Sequence, residues 1–184
     1  VNPNPFITKW ETTATNESIT IPTVAGEIYS YTVNWGDGSE DTIHTDATPP
    51  THTYFKASIY TISGTFPRIR FSGKSTVQSQ IRTIEKWGDI AWTSMRNAFT
   101  NCDNLTIADE AGIPNLSGVT DMFGMFAQSS FNGDINEWDV GNVMDTSYMF
   151  SKAGLINVDI SGWDVSNVTN MQTMTYLRKF GTLY

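Results

Sequence analysis

Two stretches of this chain are nearly copies of each other. Residues 131–143 read F-N-G-D-I-N-E-W-D-V-G-N-V and residues 156–168 read I-N-V-D-I-S-G-W-D-V-S-N-V, sharing eight of thirteen positions at an offset of 25. A fixed period of that size marks a chain built from repeated units, each burying its apolar face against its neighbours. Such arrays usually serve as binding surfaces, so the period bears on function as well as on fold.

Aligned outward, the blocks give four units whose second parts are residues 92–99, 119–126, 143–150 and 168–175. Apolar residues fall mostly at the first, fourth, seventh and eighth positions, as in Val119, Met122, Met125 and Phe126. That spacing predicts a helix with one inward face. Gly118, Asn142 and Asn167 then stand at the N-cap, followed by Asp121, Asp145 and Asn170 as acceptors for the helix start. Cys102, Ser129 and Ala153 share a register and are small, so Cys102 is expected to fill a tight packing position. Residues 132–136 and 157–161 are candidates for short strands, which would run parallel because a helical return separates them.

The N-terminal third reads differently. From about residue 6 to 71 the chain alternates and turns often, as a half-buried antiparallel sheet does. Tyr31, Val33 and Trp35 share one face and run into Gly36-Asp37-Gly38, where glycines permit a tight turn. Tyr60, Ile62, Gly64 and Phe66 repeat the period of two. Pro49 and Pro50 mark a loop between them.

Trp35-Gly36-Asp37-Gly38, followed by His52-Thr53-Tyr54 and Tyr60-Thr61-Ile62, resembles the signature of PKD-like domains. These are small immunoglobulin-like β-sandwiches of secreted and surface proteins. Asn34 and Ser58 depart from that pattern, where Asp and Gly are usual. The later run N-V-x-x-M-x-x-M-F, with D-I-x-x-W-D-V-S-N-V-T-N-M, resembles the repeats of BspA-like leucine-rich-repeat bacterial surface proteins, also known from mycoplasma lipoproteins. Together the resemblances imply a mixed fold: an all-β immunoglobulin-like sandwich over residues 1–72, then an α/β leucine-rich-repeat-like solenoid of about four coils with short parallel strands over residues 73–184. They also imply a bacterial surface or secreted protein used in adhesion, in a family not known for catalysis.

Charge narrows the partners. Residues 101–177 hold ten acids against one base, Lys152, while the whole chain carries a net charge of −8. An acidic array repels phosphate, which argues against nucleic acid and against an anionic membrane surface. No stretch approaches 18 consecutive apolar residues, so no membrane span is expected. A single Cys rules out an internal disulfide framework, and Val1 has no charged-then-apolar leader before it, so location rests on the resemblance.

Chemical motifs are sparse. Gly73-Lys74-Ser75 looks like the tail of a phosphate loop, but Arg68 stands where the loop needs Gly. His44 and His52 lack the paired spacing of a zinc site. Asp134 with Asp159, and Asp139 with Asp164, recur in register and could form a calcium ladder. The favoured reading is that each accepts backbone N–H groups at a turn. Trp138 and Trp163 could stack on sugar rings, but their repeat position is held by Pro114 in one unit, which suits packing. Arg68, Arg70, Lys74, Arg82, Lys86 and Arg96 gather at the junction and read as an electrostatic seam.

The expectation is therefore a non-enzymatic, cofactor-free, metal-free monomer on the cell surface or outside the cell. Its ligand would be a protein or glycan of a host or neighbouring cell, with a carbohydrate-binding accessory module of a surface enzyme as the alternative. Specificity should lie where the repeats differ: Gly133 against Val158, Glu137 against Gly162, and Tyr148 against Thr173.

Overall fold

The fold is taken from a computed structural model that describes residues 4–131, 133–154 and 158–176. Its elements run β1 (Phe6–Thr12), β2 (Glu17–Thr20), β3 (Tyr31–Asn34), β4 (Thr42–His44), β5 (Thr51–Tyr54), β6 (Ser58–Gly64), α1 (Ser75–Gln80), β7 (Ile81–Lys86), β8 (Thr106–Ile107), β9 (Phe150–Ser151) and β10 (Thr175–Tyr176). One mixed six-stranded sheet has the order β4-β3-β6-β1-β7-β8, and β2 pairs with β5 in a small second sheet.

The alternation in the N-terminal third is expressed as strands. Tyr31, Val33 and Trp35 are all buried, as are Ile62 and Phe66. The small sheet packs on the large one: Ile19 and Tyr54 are fully buried, the Tyr54 hydroxyl donates to the Trp35 carbonyl at 2.8 Å, and its ring stacks on Tyr60 at 3.9 Å. The Trp35–Gly38 motif turns because Gly36 and Gly38 have φ of +76° and +84°. Gly36 is required twice over, since a Cβ there would lie 2.2 Å from the Thr61 carbonyl oxygen. Asp37 accepts hydrogen bonds from the Ser39 N–H and from His52 at 2.7 Å, and the His52 ring stacks on Trp35. These residues tie the turn to β5 of the small sheet.

The sheet does not stop at residue 72. β1 pairs with β6 on one side and with β7 on the other, and β7 pairs in parallel with β8 inside the repeats. A single buried cluster runs from Phe6 to Trp163. Its axis is an aromatic column at the repeat register, with Trp10 against Phe71, then Phe99, Phe126 and Phe150 following at centroid spacings of 5.6, 5.9, 5.8 and 6.0 Å. Each such pair adds about 1 kcal/mol beyond its buried area.

The α/β leucine-rich-repeat-like solenoid is not what these residues form. Among the described residues the one α-helix is α1, ahead of the repeats, and residues 96–101, 123–128 and 147–149 are turns. Residues 133–136 and 158–161 are not strands either, while Asn132 and Asn157 lie outside the described residues. The molecule is mostly β, built around one mixed sheet. Left-handed positions at two registers explain the missing helices: Asn97, Gly124, Tyr148 and Thr173 at one, and Asn101, Gln128 and Lys152 at the other, have φ between +52° and +60°. A right-handed helix cannot pass through such residues.

Backbone bonding shows what replaces the helix. Within each unit, N–H groups close three-residue turns, as Met125 does to Met122, Ala127 to Gly124 and Ser129 to Phe126. The alternate N–H groups point across instead: those of Met122, Gly124, Phe126 and Gln128 donate to the carbonyls of Asp145, Ser147, Met149 and Ser151. The same ladder recurs from Met95 to Asp121 and from Thr146 to Asn170. Backbone donors in these layers are thus satisfied without a helix and with strand ladders only two residues long.

Candidate functional site

Most of the regular polar residues of the repeats are spent on this framework. Asp121, Asp145 and Asn170 are stacked turn formers whose Oδ1 atoms accept the N–H two residues on, at 2.9, 2.9 and 3.1 Å. They are not helix-start acceptors. Asn142 and Asn167 are not N-caps; their amides donate to the carbonyls of Ser117 and Gly141 in the preceding layer. Asp134, Asp139, Asp159 and Asp164 each accept the N–H two residues ahead at 2.9–3.1 Å. Hydrogen bonds from Ser161 and Ser166 hold the carboxyls of Asp159 and Asp164 below the usual range. Asp134 and Asp159 line a cleft of about 430 Å³ with Asp109 and Asn136, but no group of three or more metal-ligating side chains occurs among the described residues.

The aromatic residues with regular spacing are interior. Trp138 and Trp163 are 4% and 7% exposed, and the indole N–H of Trp163 donates to the Ile135 carbonyl at 2.8 Å. Trp10, Trp35, Trp87 and Trp92 are buried as well, so no tryptophan offers a face to a sugar ring. Cys102 is fully buried and burial pushes its thiol up, which keeps it protonated. Of the junction cations, Arg68 pairs with Glu27 inside the N-terminal part, Arg82 on β7 reaches back across residue 72 to Glu11 on β1, and Arg96 reaches Asp121 at 3.1 Å in the next layer.

What remains is a ridge made by the left-handed residues themselves. Gln128 and Lys152 are exposed, and Asn97, Asn101, Tyr148 and Thr173 are half-buried. The Tyr148 ring lies 5.3 Å from Phe123 at a tilt of 42°, and the Arg96 guanidinium sits 4.2 Å from the other ring centroid. Beside them opens a cleft of about 360 Å³ lined by Asn97, Phe123, Gly124, Gln128, Tyr148 and Lys152. A second cleft, of about 240 Å³, lies against the same Gln128 and Lys152, with Asn101, Asp103 and Ser130 beyond.

The six positions at which the repeats differ scatter over four places. Tyr148 and Thr173 belong to the ridge. Gly133 lines the acidic cleft, where a Cβ would crowd the Phe131 ring at 3.0 Å, and Val158 packs against the core. Glu137 and Gly162 are exposed at a turn, with the Gly162 N–H bonded to Asn136. Gln128 and Lys152 are not among those six, although Lys152 is marked by its charge. Their signal is register: Asn101, a residue that accepts positive φ, aligns with both of them, as Asn97 and Gly124 align with Tyr148.

No curated protein and no solved structure matches the chain. No helix among the described residues is long and apolar enough to cross a membrane. Residues 71–181, which take in the repeats, the ridge and both clefts, match the family described as Mycoplasma protein of unknown function, DUF285, and the chain belongs to that family.

Proposed function

We propose that this chain is a non-enzymatic recognition protein, on the cell surface or secreted, that binds a protein partner through the ridge around Tyr148. One observation carries the reading. Folding needs positive φ at these positions, which Gly and Asn supply with little strain, yet the chain places Gln128, Tyr148, Lys152 and Thr173 there. A left-handed residue with an ordinary side chain costs about 1 kcal/mol. Tyr148 regains part of that against Phe123, whereas Gln128 and Lys152 are exposed. Strain kept at one exposed cleft is a mark of function.

The resemblance of the repeat blocks to BspA-like surface proteins, and of the Trp35–Gly38 turn to PKD-like modules, supports adhesion as the biological setting. Burial of every tryptophan weakens the alternative of a carbohydrate-binding module stacking sugars on Trp138 and Trp163. The test is binding of the full chain, as a monomer, to a panel of purified extracellular proteins, with Tyr148→Asn and Gln128→Asn as variants that keep the backbone. Saturable binding lost in both variants is the expected result. Binding indifferent to both, or no binding by the wild type, would overturn the reading.

A further inference from the structure

We infer that Lys152 is the anchor for a carboxylate of a peptide ligand whose neighbouring apolar side chain enters the cleft beside Tyr148. The inference rests on the ridge being a recognition face and adds the ligand's chemistry. Lys152 is the one base among residues 101–177, set against ten acids, and it forms no ion pair among the described residues. It stands at φ +55°, on the wall shared by the two clefts. The other cation of the ridge, Arg96, is already paired with Asp121 at 3.1 Å, and the acids of the layers repel further negative charge, so Lys152 fixes the place of a single carboxylate rather than of an acidic run.

The shape of the first cleft favours a side chain over a sugar. Phe123 and Tyr148 are tilted onto each other at 42°, which makes a notch bounded by Ala127 and leaves no flat open ring. Gln128, on the shared wall, carries an amide with no protein partner among the described residues, free to bond a peptide backbone. Beyond Lys152 the second cleft presents Asp103, so the ligand's carboxylate must stop at the lysine, and the next position suits a neutral or basic residue.

A library of random peptides displayed on phage and panned against the full chain tests this. Enriched peptides should carry Asp or Glu beside an aliphatic or aromatic residue. A synthetic copy of one should lose about tenfold in affinity on Lys152→Asn, the loss of one charge-assisted contact, and keep its affinity on Lys152→Arg. Panning on Lys152→Glu should enrich basic peptides instead. Thermal melts by circular dichroism check that each variant is folded. Enriched peptides without acids that still require Tyr148 would overturn the role of Lys152 and leave the recognition face standing. Enriched peptides insensitive to both Tyr148→Asn and Lys152→Asn would defeat both. If no peptide is enriched but a carboxylated glycan binds on an array through Lys152, the peptide assignment falls and the face remains. Silence in both formats would sink both readings.

Discussion

The N-terminal sheet and the repeat layers solve the same problem by different means. In the sheet, β1 lies between β6 and β7, and seven consecutive residues from Phe6 to Thr12 pair with β6 in unbroken register. In the layers, alternate N–H groups bond within a turn and the others bond to the next layer. Strands leave every other side chain for the core, whereas turns deliver apolar residues at intervals of three and one, as at Val119, Met122, Met125 and Phe126. The lesson is that a helical spacing of apolar residues does not require a helix. A train of turns closed three residues apart places Met122, Met125 and Phe126 inward just as well.

The largest break in the comparison should come from the column both regions share. Phe126 is fully buried, stacked on Phe131 at 3.9 Å and on Phe99 and Phe150 at about 6 Å. Phe126→Ala should cost about 4 kcal/mol through lost contacts and a cavity. Because one cluster runs through the molecule, denaturant unfolding followed by tryptophan fluorescence and by far-ultraviolet dichroism should remain a single coincident transition. Two separated transitions would show that the regions unfold independently.

Next come the glycines. Gly36→Ala forces a Cβ to within 2.2 Å of the backbone oxygen of Thr61, which has nowhere to go, so a loss of about 3 kcal/mol is expected. At Gly124 the added Cβ meets the end of the Asn97 side chain at 2.5 Å. That amide can swing aside, and Gly124→Ala should cost about 1–2 kcal/mol, mostly strain at positive φ. Equal losses at the two sites would show that the layers are as rigid as the sheet.

A smaller effect separates the regions by pH. Burial would raise the Asp37 carboxyl, but hydrogen bonds from Ser39 and His52 outweigh it and hold the group down to about 2, against an ordinary 3.8. A depressed carboxyl stabilises the fold above its unfolded value, and that contribution disappears as pH falls from about 4 through about 2. Asp37→Asn should remove this acid-side slope from a plot of melting temperature against pH, while leaving the neutral-pH spectrum unchanged. An unaltered slope would place the acid sensitivity in the layers.

How much of this was legible follows from the same physics. Alternation at Tyr31, Val33 and Trp35 reads directly as a strand because its period is short and local. The Asp134, Asp139, Asp159 and Asp164 turns were also readable, since a short acceptor side chain bonds the backbone two residues on wherever it sits. The layers were not, because their apolar spacing imitates a helix and the deciding φ angles belong to residues such as Tyr148 and Lys152 that rarely adopt them. Lys152 stood out by charge alone. Its place between two clefts depends on contacts across a layer, and only tertiary structure supplies those.

The left-handed positions also give the finest comparison. Between residues 4 and 91, every residue with positive φ among those described is Gly or Asn: Asn16, Gly26, Gly36, Gly38, Gly73 and Gly88. From residue 92 onward the same conformation is also imposed on Gln128, Tyr148, Lys152 and Thr173. If that strain is held for recognition, relaxing it should stabilise the protein. Gln128 is the cleanest site, being exposed on the wall of both clefts. Gln128→Asn should raise stability by about 0.5–1 kcal/mol, visible as a small shift in the chemical denaturation midpoint with an unchanged slope. Tyr148→Asn should gain less, because it gives up the Phe123 contact. A loss of stability at Gln128 would mean that its side chain supports the layers, and the argument from strain to binding would lose its foundation.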